Sequence, residues 1–209
     1  MSKRPCPAPS PASSASFDIH LHPLFMNSKQ EMPLCVEIKP TVKSQLKDYP
    51  LSLIILADVS GSMLDGNKMR NMRDGITRLG ELCERFSSVK TELTLIEFND
   101  SARLIHTSST MPSAHELRRI CECLSPTGGT NIGSAIQMAV AVALGKKAVH
   151  IALFTDGEDT CNLQQTLSTQ DEPYVETLRT FPMLWLHCIG ICAEFDSRWL
   201  FYTVKYLFA

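Results

Sequence analysis

The chain has 209 residues, with 20 basic and 22 acidic side chains and a formal net charge of −2. That length suits one domain with an extension, and the charge balance excludes the basic field on which nucleic-acid binding depends. No apolar run approaches the ~20 residues of a membrane span, and Lys3 and Arg4 precede no hydrophobic region of a secretory leader.

Residues 1–16 are Pro-, Ser- and Ala-rich with little to bury, and are expected to form a disordered tail. Residues 17–49 form an N-terminal β extension, in which 17–25 and 32–39 alternate as a hairpin or two edge strands. Asp18, His20 and His22 share one face of the first of these, which we read as a solvated strand face in preference to a metal site. Leu51 to Ala57 is then a nearly continuous apolar run between Pro50 and Gly61. Such a run is the pattern of a strand covered on both faces, as in the middle of a parallel sheet. Asp58, Ser60 and Ser62 follow where the chain leaves the sheet.

A helix is predicted from Lys68 to Phe86, with Met69, Met72, Ile76, Leu79, Cys83 and Phe86 as its apolar stripe. Thr91–Phe98 alternates as a strand, and Asn99-Asp100 turns it into a second strand over Ala102–Thr107, an antiparallel edge hairpin. Ser113 and Glu116 form a capping box that opens a helix with Leu117, Ile120 and Leu124 inward. Gly128-Gly129-Thr130-Asn131 leads into another helix, with Ile132, Ile136, Ala139, Val140 and Ala143 inward and Gly145 as its stop. Val149–Thr155 is a second buried strand, ending in Asp156-Gly157. A polar connection from Cys161 to Thr169, a helix near Pro173–Thr180 and a buried strand Met183–Ile189 follow, and Asp196 is placed to cap a last helix.

Eight cysteines stand at positions 6, 35, 83, 121, 123, 161, 188 and 192, without the C-x-x-C pairs of a zinc site. Cys121 and Cys123, two apart on a helix, diverge by about 200° and share no ligand. Scattered cysteines without a leader read as reduced residues of a cytoplasmic protein.

Strands alternating with helices give an α/β, Rossmann-like three-layer sandwich. In such sheets ligands bind beyond the carboxyl ends of the strands, where neighbouring connections leave in opposite directions. Two buried strands that each end in an aspartate therefore suggest two carboxylates at one rim. Asp58 and Asp156 with the hydroxyls of Ser60, Ser62 and Thr130 make a shell of hard oxygen donors, suited to Mg²⁺, Mn²⁺ or Ca²⁺ and not to zinc or copper. Two carboxylates only neutralise a divalent cation, so the ion stays electrophilic toward an acidic residue of a protein partner.

These residues resemble the metal-ion-dependent adhesion site of von Willebrand factor type A (VWA) domains, which is D-x-S-x-S, a separated Thr and a later Asp. Here the three parts are Asp58-Val59-Ser60-Gly61-Ser62, Thr130 and Asp156, each at the end of a core strand or the start of a helix. The resemblance covers about residues 50–200 and implies a mostly parallel sheet with one antiparallel edge strand and Mg²⁺-dependent protein binding instead of catalysis. The lead-in over residues 17–40 is most similar to intracellular eukaryotic members, some of which carry a RING finger that this chain lacks. The family usually adds a strand after its final helix. This chain stops 13 residues past Asp196, so residues 50–209 are expected to lack that strand, and the N-terminal strands are available to cover the edge.

The alternatives fit less well. A hydrolase or phosphotransferase using Asp58 as nucleophile beside Mg²⁺ needs a second acid two residues on, where Ser60 stands. The stretch Gly61–Met69 departs from a phosphate-binding loop at Asn67 and Met69, and from a calcium loop at Met63 and Met69. A scaffold arm of a larger complex such as a ubiquitin ligase, using no metal, is the remaining alternative. Glu158 and Asp159 read as a solvated rim. The expectation is a binding module, not an enzyme.

Overall fold

The structure, a computed structural model, describes residues 17–23, 34–40, 50–85, 90–157, 160, 177, 181 and 183–192. The expected tail, Glu158, Asp159, the connection through Cys161 and the helix capped by Asp196 lie outside the described residues. So does all of the expected Pro173–Thr180 helix except Thr177, which is helical.

Seven strands are described: β1 (Phe17–Pro23), β2 (Leu34–Pro40), β3 (Leu51–Asp58), β4 (Thr91–Phe98), β5 (Ala102–Ser108), β6 (Ala148–Thr155) and β7 (Met183–Gly190). They form one sheet in the order β1-β2-β7-β6-β3-β4-β5. β7, β6, β3 and β4 are parallel neighbours, whereas β5 runs antiparallel to β4 at one edge. At the other edge β2 pairs antiparallel with β7, and β1 with β2. The N-terminal extension thus covers the rim that β7 would otherwise leave open.

The continuous apolar run of β3 is explained by two cores. Ile54 and Leu56 face a cluster with Ile96, Phe98, Val149, Ile151 and Leu153, over which α3 (Ile132–Ala143) lays Ile136, Ala139, Val140 and Ala143. Leu53, Ile55 and Ala57 face the opposite cluster, filled by Met72 and Ile76 of α1 (Lys68–Arg85) and by Leu117 and Cys121 of α2 (Ala114–Glu122). Alternation along a strand sends successive side chains to opposite layers, so a strand between two helical layers has no polar face.

Local signals set the helix ends. Ser113 Oγ accepts from the Glu116 N–H at 3.2 Å and caps α2. Asn131 Oδ1 accepts from the Ser134 N–H at 2.9 Å and caps α3. Gly145 follows α3 with φ of 78°, the left-handed stop expected of a glycine there. Cys121 is buried and Cys123 exposed, as their angular separation requires.

Candidate functional site

Asp58 closes β3 and Asp156 follows β6, its parallel neighbour, with Ala57 paired to Phe154. From β3 the chain passes to β4 on one side, and from β6 to β7 on the other, so both acids stand at the switch point. They are almost fully buried, 0% and 2% exposed. Thr155 Oγ1 donates to Asp58 Oδ2 at 2.6 Å, and the Ser60 N–H donates to Oδ1 at 2.9 Å. Burial pushes the Asp58 carboxyl up to about 6 against these two lowering bonds, and the negative charge of Asp156 adds to the rise.

Lys68, at the start of α1, supplies a positive charge. Its Nζ donates to Asp156 Oδ2 at 2.9 Å. Partial burial alone pulls the ammonium down, but its hydrogen bond and ion pair with Asp156 outweigh that and hold it above its ordinary value. The Lys68 ammonium therefore stands beside one of two buried carboxylates.

The hydroxyls come from two loops fastened to each other. Ser60 is buried, and its Oγ lies 3.1 Å from Ser62 Oγ in the 3-10 turn Gly61–Leu64. The Gly61 N–H donates to the Gly128 carbonyl at 2.9 Å, and the Thr127 N–H to the Val59 carbonyl at 2.8 Å. Thr130 is buried one turn further on. Its N–H donates to Thr160 Oγ1 at 2.8 Å, and the Thr160 N–H returns to its carbonyl at 3.1 Å. Hydrogen bonds thus link Asp58, Ser60 and Ser62, Asp156 stands on the neighbouring strand end, and Thr130 joins through its loop.

Asp100 braces that loop from beneath. Its Oδ1 accepts from the Gly129 N–H at 2.9 Å, and its carbonyl from Asn131 Nδ2 at 3.3 Å. A Cβ on Gly128, whose φ is 74°, would stand 2.2 Å from Asp100 Oδ2. Only glycine meets both demands.

The donor set is entirely oxygen and includes two buried carboxylates, so these residues fit a hard divalent cation. Reading the sequence missed four contributors. Lys68 looks like any helix-opening lysine, Asp100 like a turn residue, and Thr155 and Thr160 like ordinary strand and loop positions. A threonine directly before the second aspartate was the one available signal.

Residues 53–158 match the family model of the von Willebrand factor type A domain. No curated protein matches the chain. Among solved structures, the chain is similar to a von Willebrand factor type A protein from Catenulispora acidiphila, at 16% identity and a TM-score of 0.50 over 81% of this chain and 39% of that one. It is also similar to a D319A mutant of the PilB minor pilin from Streptococcus sanguinis, at 13% identity and a TM-score of 0.46 over 69% and 47%. The pilus adhesin SpaC from Lactobacillus rhamnosus GG matches at 19% identity and a TM-score of 0.47 over 69% and 20%. The chain spans less than half the length of each of these structures.

Proposed function

The chain belongs to the von Willebrand factor type A domain family, and from that premise we propose that it is a divalent-cation-dependent protein-binding module of the metal-ion-dependent adhesion type. Asp58, Ser60, Ser62, Thr130 and Asp156 would hold one Mg²⁺, with Mn²⁺ or Ca²⁺ as substitutes. The bound ion would supply an electrophilic position for an Asp or Glu carboxylate of the partner.

The observation that carries this reading is two buried carboxylates, Asp58 and Asp156, brought to one switch point beside the hydroxyl-bearing loops of Ser60, Ser62 and Thr130. Two carboxylates buried side by side repel each other, and a cation between them offsets that cost. The chain's own residues prepare the place. Thr155 and the Ser60 N–H orient Asp58, and Lys68 neutralises part of Asp156 until a cation arrives. Leu64, 67% exposed on the same turn as Ser62, offers an apolar contact beside the captured acid. We propose binding without catalysis, because Ser60 stands where a nucleophilic Asp58 would need a second acid. The thiols of Cys83, Cys121 and Cys123, outside any disulfide, suit the reducing cytoplasm that we propose for this protein, as an intracellular member of the family.

Calorimetry with Mg²⁺ tests the first half of the reading. One site per chain is expected, lost in Asp58→Ala; saturable binding that survives this substitution would refute the assignment. Capture of the partner is expected to disappear in EDTA, and complexes indifferent to the chelator would leave only a scaffold.

A further inference from the structure

A cavity of about 340 Å³ opens at the other end of the strands from the two aspartates. It lies at the amino ends of β3 and β4, where Ser52 is the register partner of Glu92 and Ile54 that of Thr94. Ser52 and Asp58 are six positions apart on β3, about 20 Å along the strand. Thr107 of β5 pairs with Thr94 and carries the row to the edge of the sheet. The last turn of α3 contributes Val142, and Lys146, just past Gly145, joins the wall.

These residues are out of keeping with their layer. Further along the same face, Leu56, Ile96 and Phe98 point into the apolar core under α3. Alternate and directly paired positions share a face, so Ser52, Glu92 and Thr94 continue that core with polar side chains. Ser52 and Thr94 are only 5% and 8% exposed. The Ser52 hydroxyl donates to Glu92 Oε2 at 3.2 Å, and the Lys146 ammonium donates to the same oxygen. Oε1 is thereby left to face the cavity. Among the described residues, the Thr94 hydroxyl has no hydrogen-bond partner, although it lines the cavity and is almost buried. A buried hydroxyl in that position calls for a partner from outside.

We propose that this cavity binds a neutral polyhydroxylated ligand, a pyranose or a cyclitol, whose hydroxyls meet Glu92, Thr94, Thr107 and Lys146 while its C–H face rests on Ile54 and Val142. Three properties of the lining select this chemistry. Its carboxylate and its ammonium cancel, so a ligand of either charge gains from one what it loses to the other. A serine or threonine hydroxyl both donates and accepts, as a ligand hydroxyl does, so each can satisfy the other. The volume lies at the small end of ligand pockets, which suits a single ring and not a longer chain. The Glu92–Lys146 pair stays intact in the complex, because Oε1 and the remaining ammonium hydrogens are available to the ligand.

The test is saturation-transfer NMR on the full chain in EDTA, with methyl β-D-glucopyranoside and myo-inositol as probes and acetate and propylammonium as charged controls. Saturation transfer to at least one of the two polyols is expected, and none to either control. Thr94→Val, which keeps the shape and removes the hydroxyl, should weaken that polyol about twofold to tenfold in a titration. Ser109→Trp, at an exposed position of the lining, should abolish binding by filling the mouth. Circular dichroism checks folding, and the exposed Ser109 variant serves if Thr94→Val unfolds. Absence of transfer to both polyols, or an affinity unchanged in either folded variant, overturns the proposal. Transfer to acetate or propylammonium in preference to the polyols would mark a site for a charged group and overturn it equally. The chelator makes the outcome independent of whether the rim binds Mg²⁺.

Discussion

Replacing Gly128 by alanine should cost far more than replacing Gly145, although both have φ near 75° (74° and 78°). At Gly145 a Cβ meets nothing within 4 Å, so only the left-handed strain remains, about 1 kcal/mol. At Gly128 the same strain is joined by a Cβ 2.2 Å from Asp100 Oδ2 and 3.2 Å from its Cγ. The carboxylate has to leave, and the 2.9 Å bond it accepts from the Gly129 N–H goes with it. A charge-assisted bond contributes about 1.5–3 kcal/mol, which brings the cost of Gly128→Ala to about 2.5–4 kcal/mol. Urea unfolding in EDTA measures both variants without any contribution from metal. In an Asp100→Ala background the carboxylate is already gone, so Gly128→Ala should fall back to about 1 kcal/mol, a coupling of about 2 kcal/mol. If Gly128→Ala is no worse than Gly145→Ala, or if its cost persists without Asp100, the account of the brace is wrong. On the proposed function, the same variant should also weaken Mg²⁺ binding, because the loop it distorts carries Thr130.

Three further outcomes follow from described contacts. Lys68→Met should lower the melting temperature of the metal-free protein, since it leaves buried Asp156 without its ammonium, yet tighten Mg²⁺ binding severalfold by removing an internal competitor; calorimetry showing unchanged affinity would separate bracing from competition. The Lys146 ammonium holds the Glu92 carboxyl below its ordinary value of 4.5. That pair therefore contributes stability above pH 4.5, which is lost as the pH falls through the lower folded value. Lys146→Met should cost at most about 1 kcal/mol at pH 7, because the ammonium is partly exposed, and progressively less as the pH falls below 4.5, read by urea unfolding. Finally, burial pushes the Cys121 thiol up to about 11 while Cys123 lies exposed. A thiol reagent should therefore label Cys123 in the native protein and Cys121 only on unfolding; equal rates would contradict the packing of α2.

The central layers were legible because their signals are periodic and local. The apolar run of β3, the 3-4 stripe of α1 and the capping residues Ser113 and Asn131 each specify an element without help from distant chain. The oxygen donors were legible for a different reason: each lies at the end of an element whose place in an α/β sheet is set by topology. Contacts between remote segments left no comparable trace. Nothing local tells that the Asp100 carboxylate supports Gly129, that Lys68 reaches across 88 positions to Asp156, or that His150 meets His187. His20 could be placed on a strand face from alternation alone, but not beside Glu37, because register depends on pairing and not on pattern.

The antiparallel seam between β2 and β7 joins Glu37 to His187, positions 150 apart in the chain. A growing polypeptide has to keep β2 waiting until β7 has been synthesised, and closure of so long a loop is slow. During that interval β7 presents unpaired backbone groups, which a strand from another molecule can satisfy as well as the chain's own. Shortening the lead-in should therefore reveal itself first as self-association during refolding, before any loss of the proposed cation site between β6 and β3.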